Sequence, residues 1–95
     1  MPATIEIGSL LDRSPEIKNN RPRIAGTGVT VRRIAQYNNL GFTAEEIVAK
    51  YGHITLAGVH AALAYYFANR QEIDDDLAAD EAAETEFRKL PVEVR

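Results

Sequence analysis

Five cations, Arg21, Arg23, Arg32, Arg33 and Lys50, all precede the segment that opens at Thr55. Basic groups placed beside a helix that can enter a groove are what contact with DNA phosphates requires. The start of that helix offers Thr55, Ala57, Gly58, His60, Ala61 and Ala64 as an exposed face, which can touch thymine methyls or phosphates but makes few bidentate contacts to base edges. A second set lies near the C-terminus, where Ile73, Leu77, Phe87 and Leu90 are isolated apolar anchors and Arg88 and Lys89 are two adjacent cations. Spaced anchors of this kind suit a segment that folds onto a partner.

Other residues invite chemistry and do not support it. Gly26-Thr27-Gly28 lacks the Gly-Lys-Ser/Thr ending of a phosphate loop and the spacing of a dinucleotide fingerprint, so a tight turn is expected. His53 and His60, the two histidines, stand seven residues apart rather than one helical turn. His53 is expected to line a turn and His60 to lie on the surface. Asp74-Asp75-Asp76 cannot converge on one cation from a helix, because successive side chains point about 100° apart. No catalytic residue, metal site or cofactor is expected, and a metal-dependent hydrolase is a distant third reading.

The elements that would position these residues can be read from their ends. Thr43 followed by Glu46 forms a capping box, with Phe42 and Ile47 as a hydrophobic staple. Gly52 offers the left-handed stop. Thr55 repeats the cap between Ile54 and Val59, although Gly58 stands where the returning acid would be. Two helices joined by three or four residues cross steeply, which is the helix-turn-helix arrangement. Before them, Val31, Ile34, Ala35, Tyr37 and Leu40 mark a helix that stops at Gly41. Ile24, Val29 and Val31 flank the Gly26-Thr27-Gly28 turn as a hairpin, and Ile5 and Ile7 suggest a short edge strand. After Thr55, Leu56, Val59, Leu63, Tyr66 and Phe67 recur at helical spacing. The expected core is Ile34, Ile47, Val59, Leu63, Tyr66 and Phe67. Asn69 and Glu72 suggest another capping box, opening a last helix with too little apolar area to dock firmly.

The chain is therefore expected to be mainly α with a short β-hairpin, a helix-turn-helix domain of homeodomain-like or winged-helix-like type over residues 1–69. An acidic C-terminal helical arm follows over 70–95. At 95 residues it has room for one core. Cysteine is absent, which removes disulfides and thiolate metal sites, and no apolar run is long enough to span a membrane, so a cytoplasmic protein is expected. The net charge of −3 conceals a split: residues through Ile54 hold seven basic and five acidic groups, and the rest hold four basic and nine acidic. A hairpin with little to pair with and a third helix richer in apolar surface than two short helices can cover both point to a homodimer.

Five blocks in order, Pro22-x-Ile24-x-Gly26-Thr27, Val31-x-x-Ile34, Gly41-x-x-x-Glu45-Glu46-Ile47, Thr55-x-x-x-Val59-x-Ala61-Ala62-Leu63-Ala64-Tyr65-Tyr66 and Glu72-Ile73-Asp74, resemble the domain of unknown function 433 family over residues 5–80. Members more often carry Arg at Gly28 and acids at Ala57 and Gly58. The resemblance implies a homodimeric helix-turn-helix fold and, for many members, a VapB-like antitoxin beside a small toxin of the PIN-type ribonuclease class. The expected function is thus an antitoxin that neutralises such a toxin through its C-terminal arm and binds its own promoter DNA. The alternative is a protein-interaction module without DNA binding.

Overall fold

The computed structural model describes residues 4–16 and 20–89, without the side chains of residues 84–88. Among the described residues the chain is mainly helical, with one short antiparallel strand pair. Ile5 and Ile7 do not form a strand: they are 70% and 71% exposed, and Ile7–Leu10 winds into a 3-10 turn held by Glu6. With nothing to pack against, their alternation has no face to bury. The strand comes later, as β1 (Leu11–Asp12), which pairs with β2 (Arg23–Ile24) so that Leu11 faces Ile24 and Asp12 faces Arg23.

The expected turn follows β2. Gly26 takes φ +75°, the Ile24 amide donates to the Val29 carbonyl at 2.9 Å, and the Thr27 hydroxyl ties Ile24 to Val29. Beyond it the hairpin is short, a single bridge between Arg23 and Thr30, because Thr30 already caps the first helix. That helix, α1 (Val31–Asn39), buries Val31, Ile34 and Ala35 completely.

α2 (Ala44–Tyr51) carries the capping box read from the sequence: the Thr43 hydroxyl accepts from the Glu46 amide, and the Glu46 carboxylate accepts from the Thr43 amide. The Thr43 amide, then the Thr43 side chain, hold the Glu46 carboxyl below its ordinary range. Gly52 ends the helix at φ +78°. Four residues later α3 (Leu56–Ala68) begins from Thr55, whose hydroxyl accepts from the Gly58 amide at 3.0 Å. Gly58 is there for space: a Cβ on it would meet Ile24 Cγ2 at 3.0 Å, so α3 crosses β2 at close range.

The last helix, α4 (Arg70–Arg88), follows after one residue. Its start differs from the expected box. Asn69 donates back to the Tyr65 carbonyl and closes α3, while Glu72 turns to Tyr65 and Arg13 instead of its own helix end. The core joins Ile24, Val31, Ile34, Ile47, Val59 and Tyr66, with Leu63 packed against it, and continues past Asn69 into Ile73, 1% exposed, and Leu77 beside it. Phe67 lies outside it, 57% exposed. The neighbouring Tyr66 takes the buried position because its hydroxyl finds partners there: it donates to Asp74 at 2.7 Å and accepts from Asn39 at 3.1 Å.

Candidate functional site

Three of the five cations proposed from the sequence meet carboxylates of the same chain. Arg21 grips Asp76 with both arms of its fork, at 2.7 and 2.9 Å. Arg32, in the first turn of α1, lies 3.8 Å from Asp76 and 3.2 Å from Asp80. Arg23 bonds Asp12 across the strand pair at 2.6 Å and also donates to the Thr27 carbonyl. A fourth arginine, which the sequence reading did not single out, completes the pattern: Arg13 binds Glu72 at 2.9 Å and the Tyr65 hydroxyl.

The pattern has a simple origin in α4. Glu72, Asp76 and Asp80 are spaced by four residues, so they form one stripe along the helix, next to the Ile73 and Leu77 stripe. The apolar stripe enters the core and the acidic stripe meets the arginines at its edge. The Arg21 hydrogen bond, then the charges of Arg21 and Arg32, hold the Asp76 carboxyl below its ordinary range against the opposing effect of burial. For Glu72 burial pushes upward, and hydrogen bonds from Tyr65 and Arg13 outweigh it, so its carboxyl is lowered too. Burial, then the bond to Glu72, raises the Tyr65 phenol.

Arg33 and Lys50 have different surroundings. Arg33 is exposed and reaches Gln36 at 3.0 Å, and the Lys50 ammonium lies 5.4 Å from the Tyr37 ring and 5.6 Å from Phe42. Beside Arg33 an open cavity of about 480 Å³ is lined by Gly28, Thr30, Arg32, Tyr37 and Tyr51. Thr55, Ala57 and His60 are exposed at the start of α3, whereas Gly58 and Ala61, also expected at that face, are buried against the body; His53 Nδ1 donates to the Tyr51 carbonyl in the turn before it. With Leu56, Ala64 and Phe67, the exposed α3 residues make a face without a formal charge.

Of the C-terminal anchors, Ile73 and Leu77 pack within the chain, whereas residues 78–83 are exposed. Arg88 ends α4 and Lys89 follows it on the surface; the side chains of Phe87 and Arg88, and Leu90 altogether, lie outside the described residues. The three consecutive aspartates diverge as helical geometry demands: Asp74 goes to Tyr66 and Arg70, Asp75 to solvent and Asp76 to Arg21. Among the described residues no three acids or histidines converge on a cation site, and no helix is long and apolar enough to cross a membrane.

Comparison with known proteins found no match among curated ones. Among solved structures, the chain is similar to the crystal structure of a DUF433 member protein from Anabaena variabilis, with 27% identity and a TM-score of 0.69 over 74% of this chain and 69% of that one. The family model described as protein of unknown function (DUF433) matches residues 12–66, from the end of β1 to Tyr66 in α3. More than half of the sequence carries that match, and the chain belongs to the DUF433 family.

Proposed function

We propose that this protein is an antitoxin-like interaction module: a homodimeric helix-turn-helix body whose projecting α4 captures and neutralises a cognate toxin of the PIN-type ribonuclease class. The observation that carries this reading is the division along α4. Its first three turns, to Asp80, are locked to the body by Ile73, Leu77 and three carboxylates, while the exposed residues 81–83 continue the same helix beyond them. A helix of 19 residues is about 28 Å long, so a firm root presents a reaching tip to a partner. The uncharged face of α3, with Leu56 and Phe67 exposed, suits a second copy of the chain. Co-expression with the adjacent gene product tests the reading: the full chain co-purifies with it and suppresses its ribonuclease activity, and a chain ending at Ala83 loses both. Capture and inhibition by the shortened chain would overturn it.

Binding to its own promoter DNA forms the second part of the proposal. It is favoured by Arg33, Lys50 and the open cavity beside the first turn of α1, which together can take backbone phosphates. A gel shift on the upstream region should show weak, steeply salt-dependent binding that Arg33→Ala with Lys50→Ala reduces for every sequence alike. Unchanged binding in that double variant would contradict this docking.

A further inference from the structure

We propose that the acidic stripe of α4 is an internal competitor for DNA: Glu72, Asp76 and Asp80 cover an arginine face, Arg13, Arg21 and Arg32, that takes the phosphate backbone of duplex DNA once those carboxylates are neutralised or drawn away. The inference rests on the DNA part of the function proposed above and is independent of the toxin part. The three arginines come from separate segments, after β1, before β2 and in the first turn of α1, yet they face one line of carboxylates at 2.9, 2.7 and 3.2 Å. Convergence of three guanidiniums from distant positions makes a surface of the type that phosphate contact uses, and the two-armed grip of Arg21 on Asp76 is the geometry with which arginine also holds phosphate.

The internal carboxylates do not saturate this face. Arg32 Nη1 is buried and makes no hydrogen bond, although Asp80 Oδ1 lies within ion-pair distance. An open cavity of about 300 Å³ runs between Arg13, Arg21, Arg32, Glu72 and Asp76. The Asp80 side chain is 58% exposed, which makes its pair with Arg32 the most easily exchanged of the three. By linkage, a partner that draws α4 away from the body raises the affinity for DNA, with loss of Ile73 burial as the opposing cost.

The test is fluorescence anisotropy of a duplex of unrelated sequence, titrated with full-length protein at several salt concentrations. The variant Glu72→Gln/Asp76→Asn/Asp80→Asn is expected to bind about tenfold tighter than the parent at low salt, with a salt slope steeper by roughly one unit for each arginine freed. Adding Arg13→Ala, Arg21→Ala and Arg32→Ala should abolish the gain. A control with the same change of net charge elsewhere, Glu16→Gln/Glu45→Gln/Asp75→Asn, should gain much less. An equal gain in the control, no gain in the triple variant, or a gain that survives loss of the arginines would overturn the proposal. Should circular dichroism show that the triple variant loses helix, Asp80→Asn alone decides: a steeper salt slope supports the competitor and an unchanged one refutes it. Promoter binding by the parent with no gain in these variants refutes the competitor and leaves the DNA reading standing; a gain without promoter binding by the parent does the reverse.

Discussion

Two parts of α4 both carry acids and sit in different physical situations. In the first, residues 70–80, Ile73 and Leu77 complete the core while Glu72, Asp76 and Asp80 neutralise arginines of the body; in the second, residues 81–83 are exposed. Acidity does not separate them, although only the first carries Ile and Leu. What separates them is register: two apolar residues four apart, next to three acids four apart, give one helix segment both an apolar stripe and a charged edge that match the body.

The largest effect that can break this comparison is loss of the buried anchor. Ile73→Ala is expected to destabilise the fold by about 2 to 5 kcal/mol, the usual cost of truncating a fully buried isoleucine, as read from urea or thermal unfolding. The matching change in the second part, Ala82→Gln, should stay within about 0.5 kcal/mol, because that position is exposed. Equal effects at the two positions would erase the distinction.

Removing Asp76 comes next. Asp76→Ala leaves the part-buried guanidinium of Arg21 without its carboxylate and takes one of the two near Arg32, with an expected cost of about 1 to 3 kcal/mol. Asp80→Ala, at a more exposed pair, should cost less than about 1 kcal/mol. A cost for Asp80→Ala that matches or exceeds that of Asp76→Ala would mean that burial does not grade these pairs.

The smallest effect is on pH dependence. The Asp76 carboxyl is held below its ordinary range by the Arg21 hydrogen bond, so its contribution to stability is fully present above about pH 4 and is lost as the pH falls through the lowered value. Melting curves at pH 5 and pH 3 should therefore differ less in Asp76→Asn than in the parent. The same difference in both proteins would assign the acid sensitivity to other carboxylates.

Much of the fold is legible in the sequence because the signals are local. The Thr43 and Glu46 box, the Gly52 stop and the Thr55 cap need only residues within one turn, and each holds in the structure. Two placements are not local. The exposed apolar face of α3 and its buried face carry similar residues, so periodicity alone does not decide that Tyr66 goes in and Phe67 out; the hydroxyl partners Asn39 and Asp74 decide it from other helices. Arg21 and Asp76 are 55 positions apart, and pairing over that distance follows from how α4 packs, which local rules do not contain. The spacing of Glu72, Asp76 and Asp80 beside Ile73 and Leu77 was nonetheless readable as a docking edge, and it is the signal that finds the arginine face.

Amide hydrogen exchange along α4 tests the division most directly, since protection follows the free energy of local opening. Amides from Leu77 to Asp80, bonded within the turns rooted by Ile73, should exchange nearly as slowly as those in the middle of α3, and those of residues 81–83 should exchange faster by orders of magnitude. Uniform protection from residue 77 to 83, or rapid exchange throughout, would contradict a helix rooted at one end and presented at the other.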